Sequence, residues 1–293
     1  MSASEAPYKS FAIAGAGPHI GLPIVQAFLA LNVPILVLVR PTSTSTSTLP
    51  LADPNLKLAH VDYADTPAVS ALLRAHSVDV LISAVSLVTG GVGAQTVLAD
   101  AARDAGVRLF VPSEYGTPTR GDKSGAGLPK DQFAEYLTSI GIPWLRLYCG
   151  LFHEFVPWLA AVEETGKFLI VGKGETPNSF TSIPEVAQYL AHVLTTAPPS
   201  RLANTELRIE GQRATLAQFG ALFAPSRTVA HVDALPLPAG DFRGFVQAKF
   251  EIGAGSSGWD CVTETDDAEL ARSGNALWEG HRWAGVGEVL GLQ

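Results

Sequence analysis

Ser10-Phe11-Ala12-Ile13-Ala14-Gly15-Ala16-Gly17-Pro18-His19-Ile20-Gly21 decides how this chain folds. Phe11 to Ala14 is a short apolar run of the kind buried in a sheet, and Gly15 to Gly21 is the turn that follows it. Leu22 to Leu31 then carries Leu22, Val25, Phe28 and Leu29 at helical spacing, and after Asn32 a second strand runs from Pro34 to Val39. Strand, glycine turn, helix and strand within about thirty residues is the layout of a dinucleotide-binding unit. Glycines let the backbone turn sharply and approach a pyrophosphate, and the helix start presents N–H donors to the anion. Gly15, Gly17, Pro18, His19, Ile20 and Gly21 are the candidates in this turn. The spacing, Gly-x-Gly-x-x-x-Gly, is one residue longer than the usual fingerprint, so on its own the motif also fits a tight turn without a ligand.

The second strand ends in Leu38-Val39-Arg40-Pro41-Thr42. Arg40 stands where an acidic residue would hold the ribose 2′-hydroxyl of NAD, and a cation there suits the 2′-phosphate of NADP. A solvated surface arginine is the plain alternative, but turn and cation together favour NADP(H). Thr42 to Thr48 is a low-complexity hydroxyl tract, read as a surface loop whose first residues, Thr42 and Ser43, can help hold a phosphate.

The same alternation continues outward. Leu56 to Val61 is a third strand ended by Asp62-Tyr63, and Thr66 caps the next helix with Pro67 at its first position. Val78 to Ile82 is a fourth strand, running into Ser83-Ala84-Val85-Ser86, small residues over which a cofactor can lie. A glycine-rich link, Gly90 to Gly93, leads to a helix over Ala94 to Ala105, and Val107 to Val111 is a fifth strand closing on Pro112-Ser113-Glu114-Tyr115-Gly116. The expected fold class is therefore α/β, a Rossmann-type doubly wound parallel sheet. Ligands of such sheets gather beyond the carboxyl ends of the strands, where Gly15, Arg40, Asp62, Ser83 and Ser113 all stand. Ala84, Val85, Glu114 and Tyr115, beside them, complete this cofactor-binding set.

Thr117 to Gly127 reads as a loop, Lys130 to Ser139 as a helix, and Ile142 to Tyr148 as a sixth strand. Beyond Phe152 the alternation loosens. Phe168 to Val171, a Gly172-Lys173-Gly174 turn and Ser179 to Ile183 suggest a strand pair, followed by helices over Pro184 to Leu194 and Thr215 to Phe223 with a strand at Glu206 to Ile209 between them. Irregular sequence runs from there to the end. Residues 1–155 are expected to form the dinucleotide-binding domain and 156–293 a smaller, interleaved substrate-binding portion, with about 178–196 returning to the sheet.

At 293 residues, 47% hydrophobic and 16% charged, the chain can bury a sizeable core. A net charge of −8 argues against a nucleic-acid surface. Met1 to Ser10 lacks the apolar segment of a secretory signal, and no hydrophobic run is long enough to span a membrane. Cys149 and Cys261 give neither a metal spacing nor a disulfide framework. A cytoplasmic protein with a small-molecule substrate is expected, as monomer or homodimer.

These residues resemble the atypical short-chain dehydrogenases of the NmrA-like and isoflavone-reductase-like group, which includes phenylcoumaran benzylic ether and pinoresinol reductases. The Gly15–Gly21 turn, Leu38 to Pro41, Phe110 to Gly116, and Lys130 followed by Gly141-Ile142-Pro143 carry the likeness, with Phe180 to Ala187 later. The resemblance implies NADPH with Arg40 on its 2′-phosphate, Lys130 as the catalytic lysine beside the nicotinamide, and Phe152 as the aromatic residue packed near that ring. Pro18 and His19 depart from the family's usual glycine and aromatic residue, the paired arginines downstream of the lysine are absent, and the region after Asp241 matches poorly. Pro18 has no N–H to give a phosphate.

No Tyr-x-x-x-Lys pair is present, since Tyr136 is followed four positions on by Ile140 and Tyr115 by Thr119. Lys130 must act alone or with water, and a partly desolvated lysine beside a cationic ring can exchange protons near neutrality. Glu114 is read as structural or as a partner of Lys130, and His153 as a second proton donor or a helix-start histidine. Two functions fit: an NADPH-dependent reductase of a small, aromatic or phenolic substrate, or a regulator that senses the dinucleotide without turnover.

Overall fold

The computed structural model describes residues 6–41, 43, 45–85, 91–123, 125, 127–224, 226–238 and 241–292. Thr42, Ser86 and Gly90, named above, lie outside the described residues. The chain divides into two compact units. The first holds residues 1–114, 123–147 and 186–207, and the second 115–122, 148–185 and 208–293.

In chain order the first unit opens with β1 (Phe11–Ala14), α1 (Gly21–Ala30), β2 (Ile35–Val39), β3 (Leu56–His60), α2 (Thr66–Ala75), β4 (Val80–Ser83), α3 (Gly91–Ala105), β5 (Leu109–Val111), α4 (Gly127–Ser139) and β6 (Leu145–Tyr148). The sheet order is β3-β2-β1-β4-β5, and every pair in it is parallel. Central strands of such a sheet are covered on both faces, which is why Phe-Ala-Ile-Ala and Ile-Leu-Val-Leu-Val are apolar without alternation and buried throughout. The edge strand β3 instead exposes Lys57 and His60, charged and polar groups that discourage pairing with another chain. Val69 and Leu73 of α2, Leu98 and Ala102 of α3 and Phe133 and Leu137 of α4 pack on Leu81 and Phe110 in one core. Each fully buried Leu or Phe there contributes about 1.5–3 kcal/mol.

Three predicted strands begin too early. The observed β4, β5 and β6 start at Val80, Leu109 and Leu145 rather than at Val78, Val107 and Ile142. Each preceding helix is followed within two residues by one with positive φ, namely Ser77, Gly106 and Gly141. The next apolar residue then returns its N–H to the helix: Val78 to the Leu73 carbonyl at 3.0 Å, Val107 to Ala102 at 2.9 Å and Ile142 to Leu137 at 3.2 Å. These residues close helices before the ladder begins. The cap of α2 is also corrected: Asp65, not Thr66, accepts from the Ala68 N–H, at 2.9 Å, and Pro67 sits within the first turn.

The second unit contains β7 (Leu151–Phe152), α5 (Val156–Leu159), α6 (Val162–Thr165), β8 (Lys167–Val171) and β9 (Asn178–Thr181). The chain then passes through α7 (Ile183–Thr196) and β10 (Thr205–Arg208) to β11 (Gln212–Ala214), α8 (Leu216–Phe223), β12 (Thr228–Val232), α9 (Phe242–Glu251), β13 (Trp259–Asp260), β14 (Thr265–Asp266), α10 (Ala268–Ala271) and α11 (Val286–Leu290). The expected β8–β9 pair is not formed. β8 pairs in parallel with β12, and β9 lies between β7 and β11. The Lys173 and Gly174 N–H groups, each 2.9 Å from the Glu251 carboxylate, are drawn to the end of α9 instead of closing a hairpin. The segment after Phe223, read as irregular, holds β12 and α9. Phe168, Ile170, Phe180, Phe219 and Phe250 centre this unit's core. Among the described residues no helix is long and apolar enough to cross a membrane, and no cluster of His, Cys, Asp and Glu could hold a metal ion.

If Asp65 caps α2, Asp65→Ala lowers stability by about 1 kcal/mol in chemical denaturation, and Thr66→Ala by much less. An equal or larger loss in Thr66→Ala contradicts the assignment.

Candidate active site

The first unit gathers its candidate residues along the carboxyl edge of the sheet. Ala14 and Ser83 are register partners, so Gly15 and Ala84 leave adjacent strands side by side. Gly15 has φ +92°, and a Cβ there would lie 2.6 Å from the Ala84 carbonyl carbon and oxygen. A Cβ on Gly21 would lie 2.0 Å from the Gly15 carbonyl oxygen, so the end of the motif lets α1 close onto the turn. Gly17 meets no such obstacle. Its N–H donates to the Gly15 carbonyl at 2.7 Å, and its own carbonyl accepts from Leu22 at 2.8 Å. No side chain caps α1 at Ile20, and no acidic residue stands in the helix's first turn. The helix thus places no anion of its own at the positive end of its dipole, a setting that suits a phosphate. Pro18 and His19 are exposed beside it.

Tyr63 locks this turn, a role signalled only by an aromatic residue after β3. Its hydroxyl donates to the Leu38 carbonyl at 2.6 Å and accepts the Gly15 N–H at 3.1 Å. Burial pushes the phenol up to about 12, so it stays a neutral donor. Two residues beyond Leu38, Arg40 is exposed at the end of β2, and no acidic residue occupies its place. Asp62 is exposed too, and its carboxylate accepts the Ala64 N–H at 3.0 Å, which shapes the turn into α2. Ser83 is fully buried, and Val85 nearly so.

At the end of β5, the Ser113 N–H donates to Gln95 Oε1 at 2.9 Å. Gln95 is the polar member of the inward α3 face formed with Leu98, Ala99 and Ala102, and that lone amide on an apolar face is its signal in the sequence. Glu114 and Lys130 do meet. Lys130 Nζ donates to the Glu114 main-chain carbonyl at 2.8 Å and lies 3.7 Å from Oε2 of its carboxylate. The Lys130 side chain keeps 17% exposure, against 2% for Glu114. Arg146, unremarked in the sequence, is 2% exposed, and its Nε donates to Glu114 Oε1 at 2.9 Å. Its Nη1 lies 3.2 Å from Asp131 and 3.6 Å from Glu206. Stripping water from a guanidinium costs several kcal/mol, which these carboxylates offset.

Residues 7–223 match the model of the NmrA-like family. The chain belongs to that family. Among solved structures it is similar to a leucoanthocyanidin reductase–NADPH complex from Vitis vinifera, at 19% identity over 96% of this chain and 98% of that one, with TM-score 0.78. It is also similar to an NADPH-dependent quinone oxidoreductase from Escherichia coli complexed with NADPH, at 19% identity over 96% and 98%, with TM-score 0.76. An oxidoreductase of Aspergillus flavus, aprR, is 39% identical over 84 residues, which spans 26% of this chain and 28% of that protein.

The remaining candidates of this NmrA-like chain lie in the second unit. Tyr115 opens it, buried and with φ +32°. Phe152 pairs in register with Thr181 on β9, and its ring meets Phe155 edge-on at 5.6 Å. Gly150 precedes it at φ +69°, where a Cβ would lie 2.0 Å from the Ser179 carbonyl oxygen. His153 is fully buried, with its ring parallel to that of Phe180 at 6.3 Å. Burial holds its pKa down to about 4, against an opposing pull from the Glu185 charge. The imidazole is neutral and enclosed at pH 7, not an exposed helix-start histidine.

This predicts an acid-sensitive core. With the folded pKa of His153 near 4 and the ordinary value 6.5, the unfolded chain binds the extra proton between those limits. Stability from this group is complete above pH 6.5 and is lost as pH falls through 4, by about 3 kcal/mol in all. Denaturation midpoints from pH 4 to 7 should rise more steeply for the wild type than for His153→Gln. Equal slopes contradict the buried neutral imidazole.

Proposed function

We propose that this protein is an NADPH-dependent reductase of a small aromatic or phenolic substrate, with Lys130 as general acid–base. The observation that carries the reading is the lysine at the carboxyl edge of the sheet, its ammonium held by the Glu114 carbonyl at 2.8 Å and its side chain still partly open. The solved structures it resembles include an isoflavone reductase and a complex with NADP+ and pinoresinol, which supports both the cofactor and the phenolic substrate class.

The residues present fit a dinucleotide. Gly15 and Gly21 make a turn without room for side chains, α1 begins with no side-chain cap, and Arg40 supplies a cation for a 2′-phosphate. Gly17, Pro18, His19, Ile20, Asp62, Ala84, Val85, Ser113 and Glu114 would line the same edge, whereas the fully buried Ser83 is closed off from it. NADPH, when bound, supplies hydride to the substrate. Lys130 holds a proton at Nζ and delivers it to the substrate oxygen or carbon that becomes negative, with Glu114 fixing the direction of the ammonium. Two free cysteines, the buried Cys149 and the part-buried Cys261, are compatible with a reducing cytoplasm.

The test is NADPH oxidation across phenolic ethers, enones, quinones and aldehydes, comparing wild type with Lys130→Ala. Turnover in the wild type that falls by about two to four orders of magnitude in the variant, with NADPH binding by fluorescence titration retained, supports the reductase. Tight NADPH binding without turnover on any of these substrates favours the dinucleotide-sensing regulator. Absence of NADPH binding overturns both.

A further inference from the structure

Five ionisable groups of the first unit are concentrated where β5, α4, β6 and β10 come together: Glu114, Lys130, Asp131, Arg146 and Glu206. Glu114 is the centre of this cluster. One carboxylate oxygen accepts from Arg146 Nε at 2.9 Å, and the other stands 3.7 Å from Lys130 Nζ. The lysine is thus hydrogen-bonded to the main-chain oxygen of a residue whose carboxylate is already engaged by another cation. Water cannot take over Arg146's part, because only 2% of that side chain is exposed.

We propose that Arg146 is a positioning residue for Lys130: by engaging the Glu114 carboxylate, it keeps that charge from capturing the ammonium and leaves Lys130 on the Glu114 carbonyl. This rests on the assignment of proton transfer to Lys130. The physical reasoning is a charge count. With Lys130 protonated, the cluster holds two cations against three carboxylates. Removing Arg146 leaves one cation against all three, and the ammonium is then held more tightly. Removing the Glu114 charge has the opposite effect. Asp100 on α3 accepts from Tyr136 at 2.6 Å and pairs with Arg103 at 3.5 Å, while Glu135 of α4 is exposed.

A role confined to packing would weaken the fold in both variants without moving Lys130 in opposite directions. The experiment is therefore competitive acetylation of Lys130 across pH, read by mass spectrometry on the full-length protein, for wild type, Glu114→Gln, Arg146→Met and Arg146→Lys. The Lys130 labelling midpoint should fall by about one pH unit in Glu114→Gln, rise by about one in Arg146→Met, and stay near wild type in Arg146→Lys, which keeps the charge. Midpoints that move the same way in the first two variants, or that do not move in folded protein, overturn the proposal. If Arg146→Met does not fold, Glu114→Gln decides alone, and an unchanged or raised midpoint there refutes it. The pH dependence of kcat is measured on the same variants. Labelling midpoints that shift as stated while the kcat profile stays fixed would uphold the role of Arg146 and overturn the assignment of proton transfer to Lys130.

Discussion

Gly15 passes the end of β4 so closely that a Cβ would lie 2.6 Å from the Ala84 main chain. Most of the first unit's candidate site follows from this close approach. It brings the β1–α1 turn over the neighbouring strand and fixes where α1 can begin. Gly21 answers it from the other side, since only a residue without a side chain lets the helix return onto the Gly15 carbonyl. Tyr63 then fastens the arrangement to β2 through the Leu38 carbonyl. A turn held at three places in this way is pre-organised for an anion, and little of the binding energy is lost in ordering it.

The second organising feature is electrostatic. A guanidinium buried to the extent of Arg146 is costly unless carboxylates surround it, and a carboxylate buried like Glu114 is costly unless cations do. Each resolves the other's desolvation, with Asp131 and Glu206 also on Arg146 and Lys130 beside Glu114. Such a network contributes little net stability against an apolar replacement, but it fixes the direction of each member. It makes the reductase reading more specific than a lone lysine on a helix would.

The sheet and its carboxyl edge were legible because they depend on local patterns: apolar runs of strand length, and glycines where the chain must turn. Strand starts were less legible. The apolar residues Val78, Val107 and Ile142 follow residues with positive φ and close the preceding helices, so an apolar run includes residues that are not yet in the sheet. In the second unit, the β8–β12 pairing joins residues far apart in the chain, and no local signal announces it. Lys130 and Glu114 are legible from their motifs, but Arg146 is not. In Leu145-Arg146-Leu147 an arginine looks like the solvent-facing member of an alternating strand, and its burial depends on carboxylates from β5, α4 and β10. His153 shows the converse: a titratable residue two places from the Leu151 of a short strand looked available for chemistry, yet it is enclosed with Phe180.

The glycine turn and Arg40 are proposed together as a site for NADPH. Its most direct test is fluorescence titration of the protein with NADPH and with NADH, for wild type and Arg40→Ala. NADPH should bind at least about tenfold more tightly than NADH to the wild type, and Arg40→Ala should remove this preference while leaving NADH affinity unchanged. Equal affinity for the two nucleotides in the wild type, or a preference that survives in Arg40→Ala, would contradict it.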